Sequence, residues 1–224
     1  MRRAATAAAS PRRAAAARAK PAASRTQTER RSSTIAKLVQ AGTEALIELG
    51  YARTSIQEIC LRAGVSHGGL FRHFPSRLEL MKRVAVEVGD GLLDRYRQQF
   101  ARLQQHAHDP IRLALELCRG TCQSRSHQAW FELMMAARTD PDLRAALAPI
   151  WASNHADVLA LAGQLLPEQS GHPDFAAIVD VMVTLMHGEA VERFVHVDPE
   201  VEQRRLAWAQ QAVQQGLLQA ATRR

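Results

Sequence analysis

Apolar residues recur three and four positions apart along nearly the whole chain after residue 27, a spacing typical of amphipathic α-helices. It predicts helices over about 28–49, 76–104, 110–125 and 174–196, with further helices from Ser126, from Pro141 to about 166, and after Pro199. Pro149 is expected to kink or break the helix that contains it, because proline lacks a backbone donor. No alternation of period two persists in the sequence and no internal repeat is present, so the predicted fold class is all-α.

Two short helices joined by a tight turn are predicted between Thr54 and Leu80. Thr54 and Ser55 are each followed three positions later by Gln or Glu, which predicts overlapping capping boxes at the start of the first helix. Gly64 can end that helix in the left-handed conformation, and Ser66 can cap the second helix. Two short helices with a glycine in the turn predict a helix-turn-helix, whose second helix lies in the DNA major groove.

This region resembles the DNA-binding domain of the TetR family of bacterial transcriptional regulators. The resemblance is carried by Leu38 to Tyr51, Thr54-Ser55-Ile56, Ile59, Ala63-Gly64-Val65-Ser66, Gly68, Leu70, His73-Phe74-Pro75-Ser76 and Leu80. Three positions depart from the family pattern, because Gly69 replaces Thr or Ala, Phe71 replaces Tyr and Arg77 replaces Lys. Gly69 and Phe71 lack a hydroxyl that commonly touches the DNA backbone in the family, whereas Arg77 keeps the positive charge.

The resemblance implies an N-terminal three-helix helix-turn-helix head, joined by a long helix to a helical body that binds a ligand and dimerises. The implied domains are a DNA-binding domain at 28–80 and a sensing and dimerisation domain at 81–224. The implied partners are a second copy of the chain and a palindromic double-stranded DNA operator. His67 is expected to read a base edge and Arg77 to contact a phosphate. The candidate DNA-binding residues are Thr54, Ser66, His67, Gly68, Gly69, Phe71, Arg72, His73 and Arg77.

Two glycines, Gly89 and Gly91, fall in the middle of the long connecting helix. Each costs about 1 kcal/mol in a helix relative to Ala. Their presence is explained either by a hinge between head and body or by close packing against a neighbouring helix.

A stripe of large apolar residues, Trp130, Phe131, Met134 and Met135, follows helical spacing in the predicted body. Such a stripe is more often core than pocket, but the family's body is a helical cage around an apolar ligand, so one set of residues can serve both purposes. Trp offers area and Met adapts its shape, which suits an irregular cavity. The expected effector is a small apolar or amphipathic molecule. The candidate pocket residues are Tyr96, Cys118, Cys122, Trp130, Met134, Trp151, Met182, Met186 and His187.

The predicted helix over 174–196 is apolar on most of its sides. A helix of this kind is covered on most sides, and one subunit of this size would struggle to cover it alone. The resemblance implies that the last two helices pair with their copies in a second subunit as a four-helix bundle. The candidate interface residues are Met182, Val191, Val195, Leu206, Val213 and Leu217.

Cys118 and Cys122 are four positions apart, and His127 lies just beyond them. Such a trio could serve a soft metal or an oxidant, but buried core thiols are the favoured interpretation, so no metal and no cofactor are expected. His187 is likewise more typical of a satisfied core histidine than of a ligand contact. The sequence contains no Gly-rich phosphate loop, nucleophile elbow or HExxH motif, so an enzyme is not expected. A DNA-binding protein without a ligand and a thiol-redox sensor remain as alternatives to the ligand-responsive repressor.

The charge and composition of the chain are unusual mainly at the N-terminus. Residues 1–31 hold nine Arg or Lys and one Glu, a net of +8, so the rest of the chain sums to −1 against the total of +7. Residues 1–27, rich in Ala and Arg, are expected to be a disordered basic tail that attracts phosphates, and a misassigned gene start is the alternative. No apolar run approaches eighteen residues, and the three cysteines are an odd number, so a cytoplasmic protein without a membrane partner is expected.

Overall fold

The computed structural model describes residues 26–219, and the described residues form α-helices without a β-strand. The predicted all-α fold class is therefore confirmed. The basic tail lies almost wholly outside the described residues. The helices are α1 (Gln27–Leu49), α2 (Ile56–Ala63), α3 (His67–Phe71), α4 (Arg77–Leu103), α5 (Pro110–Cys122), α6 (Arg125–Ala137), α7 (Pro141–Leu165), α8 (Pro167–Ser170), α9 (Phe175–Glu192) and α10 (Pro199–Gln219).

The head consists of α1, α2 and α3 packed against the first turns of α4. Thr26 and Glu29 form a capping box that starts α1, with the Thr26 hydroxyl accepting from the Glu29 N–H. One apolar face of each helix turns inward, and its fully buried residues are Leu38, Leu46, Ile59, Leu70 and Leu80. Burial of each such side chain is worth about 1.5–3 kcal/mol, which holds the short helices α2 and α3 in place.

Helix α4 runs without interruption from the head into the body. Ser76 caps it, with its hydroxyl accepting from the Glu79 N–H. A Cβ added at Gly89 would lie 2.9 Å from the Asn154 Nδ2 atom of α7, whereas one added at Gly91 would meet no atom within 4 Å. Close packing against α7, the second of the two open interpretations, therefore accounts for Gly89.

In the body, α4 packs against α5, α6 and α7, and α9 and α10 pack against α5 and against each other. The body's own apolar cluster lies between α5, α6, α9 and α10. The buried members of this cluster are Leu115, Cys122, Phe131, Met182, Met186, Ala190, Leu206, Ala209 and Val213. Among the described helices, none is long and apolar enough to cross a membrane.

Several predicted boundaries in the body were wrong. Ser124, not Ser126, caps α6, because its hydroxyl accepts from the His127 N–H at 3.3 Å. Helix α7 continues through Pro149, which lies on the exposed side of the helix, where water can reach the carbonyl left without a donor. The predicted loop after residue 166 includes the short helix α8, and α9 ends at Glu192 rather than near His196.

Candidate functional site: the DNA-binding surface and the body cavity

The recognition helix α3 is short and is built by local hydrogen bonds. Gly64 ends α2 in the left-handed conformation at φ 62°, as predicted. The Ser66 hydroxyl then accepts from the Gly69 N–H at 3.1 Å, which starts α3. The outer side of α3 presents the exposed residues His67 and Gly68, and the Phe71 ring is 50% exposed. An exposed phenyl ring at this point can contact a thymine methyl in the major groove.

The two glycines of α3 have different surroundings. A Cβ at Gly69 would lie 2.9 Å from Val65 Cγ1 and 3.2 Å from Ser66 Oγ, closer than packed atoms lie. A Cβ at Gly68 would meet no atom within 4 Å. A side chain at 69 would therefore displace Val65 within the head, whereas a side chain at 68 would affect only an external partner.

Arg72 is the exposed cation beside α3. It makes no ion pair within the described part of the chain. Arg62 of α2 is instead paired with Glu48 and Glu58, at 2.6 Å to each carboxylate. Arg72 is therefore the basic side chain near α3 that is available for a phosphate. His73 is half-buried, and its Nδ1 atom is buried without a hydrogen-bond partner among the described residues.

Two candidate DNA-binding residues are held by contacts within the head. Thr54 is 0% exposed and donates its hydroxyl to the Gly50 carbonyl at 2.8 Å, so it neither caps α2 nor faces DNA; Ser55 is the cap. Arg77 donates Nε to the Thr54 carbonyl at 2.7 Å and Nη2 to the Tyr51 carbonyl. The Arg77 guanidinium also lies 3.9 Å above the centroid of the Tyr51 ring. Because these contacts direct the guanidinium inward, the expected phosphate contact from Arg77 does not match the structure.

Helix α6 of the body is tied to the head by polar contacts. Arg125 pairs with Glu44 at 2.6 Å and with Glu48 at 3.1 Å, both on α1. The Tyr51 N–H donates to the Glu132 carboxylate at 3.2 Å. Helix α6 therefore carries both the polar contacts to the head and residues that line the body cavity.

An internal cavity of about 600 Å³ occupies the body. Its wall is built from α4, α5, α6, α7, α9 and α10, and it is partly open to solvent. The candidate pocket residues that line it are Tyr96, Cys118, Cys122, Trp130, Met134, Trp151, Met182 and His187. Met186 does not line it, because its side chain turns into the apolar cluster between α5, α9 and α10. The cavity is large enough for a drug-sized ligand.

The ionisable groups inside the cavity favour their uncharged forms. Burial, together with the neighbouring His187, lowers the pKa of His127 to about 3. Burial also lowers the pKa of His187 and raises the pKa of Tyr96, whose hydroxyl donates to the Ala114 carbonyl at 2.9 Å. The pKa of the Cys122 thiol is raised by its hydrogen bond with Cys118 and by burial. At neutral pH the side chains of Tyr96, Cys122, His127 and His187 are therefore polar but uncharged.

The cavity edge between α7 and α9 combines aromatic and charged groups. Trp151 is partly exposed and stacks on His155, with ring centroids 5.1 Å apart and an angle of 7° between the planes. His155 Nδ1 in turn lies 3.8 Å from the Asp180 carboxylate of α9. All three residues line the cavity, so this edge is a candidate entrance.

Only some of the candidate dimer-interface residues lie on the surface of the subunit. Met182, Leu206 and Val213 are buried within the subunit, because α9 and α10 turn these side chains toward α5 and α6. Leu217 packs partly against the same cluster. Val191 and Val195 are exposed, the latter at 94%. The exposed side of α9 forms a stripe, here called the α9 stripe, that consists of Ala177, Val181, Thr184, Gly188 and Val191. Trp208 of α10 is also exposed.

Two of these features, the α9 stripe and part of the cavity wall, were not predicted from the sequence. The stripe has a signal in the sequence, whereas these wall residues have none. The α9 stripe alternates steps of four and three positions, so a helical phase assignment would have separated it from the buried face. The cavity also takes Leu92, Ile111, Asn154, His155 and Phe175 from four different helices. No local pattern marks these residues, because the packing of the helices brings them to one wall.

The head and its recognition helix define a helix-turn-helix transcriptional regulator. The family model described as "Bacterial regulatory proteins, tetR family" matches residues 38–84. An uncharacterised HTH-type transcriptional regulator of Mycobacterium tuberculosis is 36% identical over 184 residues, which cover 81% of this chain and 93% of the relative. The HTH-type transcriptional regulator CymR of Pseudomonas putida is 33% identical over 120 residues, 54% of this chain and 59% of that protein. A transcriptional regulator from Rhodococcus sp. Rha1 has a similar fold, with a TM-score of 0.64 at 21% identity, over 81% of this chain and 96% of that chain.

The chain belongs to the TetR family of bacterial transcriptional regulators. The resemblance stated from the helix-turn-helix motif is confirmed. The family and the relatives are DNA-binding transcriptional regulators and not enzymes.

Proposed function

We propose that the protein is a ligand-responsive repressor that binds a palindromic operator as a homodimer in the bacterial cytoplasm. The observation that carries the proposal is the cavity of about 600 Å³ inside the body. Protein interiors are close-packed, and voids larger than a water molecule are few. A cavity of this size, lined by aromatic and sulfur-containing side chains, therefore supports a bound small molecule.

The lining chemistry favours an uncharged, largely apolar effector. Trp130, Phe131 and Trp151 offer ring faces and edges, while Met134 can adapt to the shape of the ligand. A carboxylate or ammonium group would be placed beside neutral imidazoles and thiols, without a charged partner on the inner wall. A charged end would fit only at the α7–α9 edge, near Asp180 and His155.

The effector would act on the head through two helices. Helix α4 contributes Gly89, Leu92, Leu93 and Tyr96 to the cavity wall, and its first residue, Arg77, follows the recognition helix α3 after a connection of five residues. Helix α6 contributes Trp130 and also holds α1 through Arg125. If these helices adopt two arrangements with different head positions, a ligand that fits only one arrangement would shift the equilibrium toward it. The size of the shift is set by the difference between the ligand's affinities for the two arrangements.

The α9 stripe and Trp208 support pairing of α9 and α10 with their copies in a second subunit. Gly188 and Ala177 in the stripe would permit close approach of two helices, and Val181 and Val191 would supply apolar contact. Two-fold symmetry of the dimer would be matched by a palindrome whose half-site centres are one helical turn apart, or a multiple of it, at about 34–36 Å per turn. Within each half-site, His67, Gly68 and Phe71 would face the bases, and Arg72 would face a phosphate.

The redox alternative receives less support than the ligand reading. A reactive cysteine needs a populated thiolate. The pKa of the Cys122 thiol is raised by its hydrogen bond with Cys118 and by burial, so the neutral thiol dominates at physiological pH.

A matched pair of cavity substitutions tests the effector proposal. Ala162 lines the cavity, whereas Ala160 on the same helix is exposed and does not. Ala162→Trp should fill part of the cavity, whereas Ala160→Trp adds the same side chain to solvent. An operator is first obtained by binding-site selection, and a panel of neutral aromatic and aliphatic compounds is then screened for operator release.

We expect a releasing compound that acts on the wild type and on Ala160→Trp but has lost potency on Ala162→Trp. If the two variants respond alike to every active compound, the effector does not occupy this cavity. Operator binding by Ala162→Trp without compound shows that the variant is folded.

A further inference from the structure

One end of the cavity gathers three metal-ligating side chains from three helices. Cys122 at the end of α5, His127 in α6 and His187 in α9 each offer one ligand atom, and these atoms all lie within 4.8 Å of one another. The His127 and His187 rings are 4.9 Å apart between centroids. Cys118 lies one turn before Cys122 on α5 and also lines the cavity.

His127 is the buried group that requires an explanation. Its side chain is 6% exposed, and neither Nδ1 nor Nε2 has a hydrogen-bond partner among the described residues. Leaving a buried polar group unpaired costs about 1–3 kcal/mol. The neighbouring Phe131 ring, in edge contact at 4.6 Å between centroids, offers neither a donor nor an acceptor of ordinary strength. The imidazole is therefore held where an additional partner would stabilise it.

We infer that Cys122, His127 and His187 form a site for a borderline transition-metal ion, with Zn²⁺ as the physiological candidate. The inference goes beyond the proposed function, because it concerns an ion bound by the body and requires neither DNA nor an organic effector. It also departs from the expectation of no metal, since the sequence did not reveal that His187 lies beside the other two side chains.

The ligand types and distances suit this ion. One thiolate and two imidazoles are a zinc donor set, with bonds of about 2.3 Å to sulfur and about 2.0–2.1 Å to nitrogen. Tetrahedral geometry places such ligand atoms about 3.3–3.6 Å apart. Because the three atoms already lie within 4.8 Å of one another, each pair would need to close by at most about 1.5 Å. On binding, the Cys122 thiol would lose its proton to solvent, and sulfur and both imidazole nitrogens would each donate an electron pair to the ion.

Three protein ligands leave a fourth tetrahedral position open, as in zinc sites that exchange a water or substrate molecule. All three proposed ligands line the cavity. The open position would therefore be accessible to water or to a donor atom of a molecule in the cavity. Cys118 would act through its hydrogen bond to the Cys122 sulfur, as a positioning residue rather than as a ligand.

Cobalt provides a direct test, because Co²⁺ replaces Zn²⁺ and absorbs visible light, with an additional charge-transfer band when a thiolate is bound. The full-length protein is stripped of metal with a chelator and titrated with Co²⁺, and Zn²⁺ is then added. We expect one Co²⁺ per chain, a thiolate charge-transfer band, a tetrahedral visible spectrum and displacement by Zn²⁺.

Variants then assign the ligands. Cys122→Ser should abolish the charge-transfer band, and His127→Gln and His187→Gln should abolish the tetrahedral spectrum. Cys60→Ala is the matched control, because Cys60 is buried in the head and does not line the body cavity, and it should bind Co²⁺ as the wild type does. Cys118→Ala should keep both spectral features and lose about 10–100-fold in affinity, the usual effect of removing a group that orients a ligand.

Absence of stoichiometric Co²⁺ and Zn²⁺ binding by the wild type would overturn the inference. A charge-transfer band that persists in Cys122→Ser, or that disappears in Cys60→Ala, would overturn the ligand assignment. Circular dichroism of each variant separates loss of metal binding from loss of fold. His187→Cys restores a metal ligand at the position that His187→Gln removes, so His187→Cys should recover Co²⁺ binding.

Discussion

Replacement of Arg77 by Ala tests whether this side chain contacts DNA or holds the head together. In the structure its guanidinium donates to the carbonyls of Thr54 and Tyr51 and lies above the Tyr51 ring. These contacts connect the start of α4 to the turn between α1 and α2. Arg77→Ala should therefore lower the stability of the head, and it should affect DNA binding only as far as the folded fraction falls.

The magnitude follows from the contacts that are removed. A hydrogen bond from a charged donor contributes about 1.5–3 kcal/mol, and the lower end applies to this partly buried pair. The stacking of the guanidinium on Tyr51 adds about 0.5–1 kcal/mol. Water can replace part of the loss at the two carbonyls, so we expect the free energy of unfolding to fall by about 2–4 kcal/mol. For a chain of this size, a loss near 3 kcal/mol lowers Tm by about 6–12 °C.

Arg72→Ala is the control, since Arg72 is exposed and makes no ion pair in the described part of the chain. The free energy of unfolding of the Arg72→Ala variant should differ from that of the wild type by less than about 0.5 kcal/mol. Thermal unfolding followed by circular dichroism measures stability, and fluorescence anisotropy with operator and unrelated DNA measures affinity. We expect Arg72→Ala to keep its Tm and to bind both DNAs more weakly, with a smaller salt dependence. A wild-type Tm for Arg77→Ala, combined with a reduced salt dependence of DNA binding, would refute the internal role.

Three further outcomes are expected. Gly69→Ala should destabilise the head by about 1–3 kcal/mol through its clash with a neighbouring side chain. Gly68→Ala should instead keep or raise the Tm and weaken operator binding. Equal effects of the two substitutions on Tm and on operator binding would contradict this distinction. His67→Ala should relax base preference at one position of each half-site by about 1–3 kcal/mol, and a binding-site selection that returns the wild-type motif would exclude this role. Val181→Glu should shift a dimer toward monomer in sedimentation. Leu61→Glu is the control and should not do so, because Leu61 is also an exposed apolar residue but lies in the head. A wild type that sediments as a monomer would argue against the α9 interface.

Local sequence determined the helix-turn-helix to within a residue or two. Ser55, Ser66 and Ser76 each cap a helix by accepting from an N–H three positions later, and Gly64 adopts the left-handed conformation that ends α2. These signals are readable because a cap and its partner are neighbours in the chain, so the hydrogen bond depends little on the rest of the protein. The capping residue of α6 was predicted two positions too late because Ser124 and Ser126 offer the same chemistry, and only the backbone conformation selects between them.

Side-chain direction was decided by the tertiary structure. Thr54 matches the family motif and Arg77 keeps the positive charge of the family's Lys, yet Thr54 is fully buried and Arg77 bonds to backbone carbonyls, because α1 and α4 meet at the turn that contains Tyr51. The apolar composition of α9 likewise showed that most of its sides are covered. It did not show that Met182 faces the body and Val181 faces outward, since that choice depends on where α5 and α10 pack.

The cavity marks the limit of what sequence alone could determine. The sequence supplied the large aromatic and sulfur-containing side chains, and their helical spacing placed them on one face of each helix. Whether such faces fill the space between helices or leave a void depends on the distances and angles at which the helices pack. The same long-range packing brings His187 beside Cys122 and His127, which are far from it in the chain, because side chains on different helices become neighbours only when the body has folded.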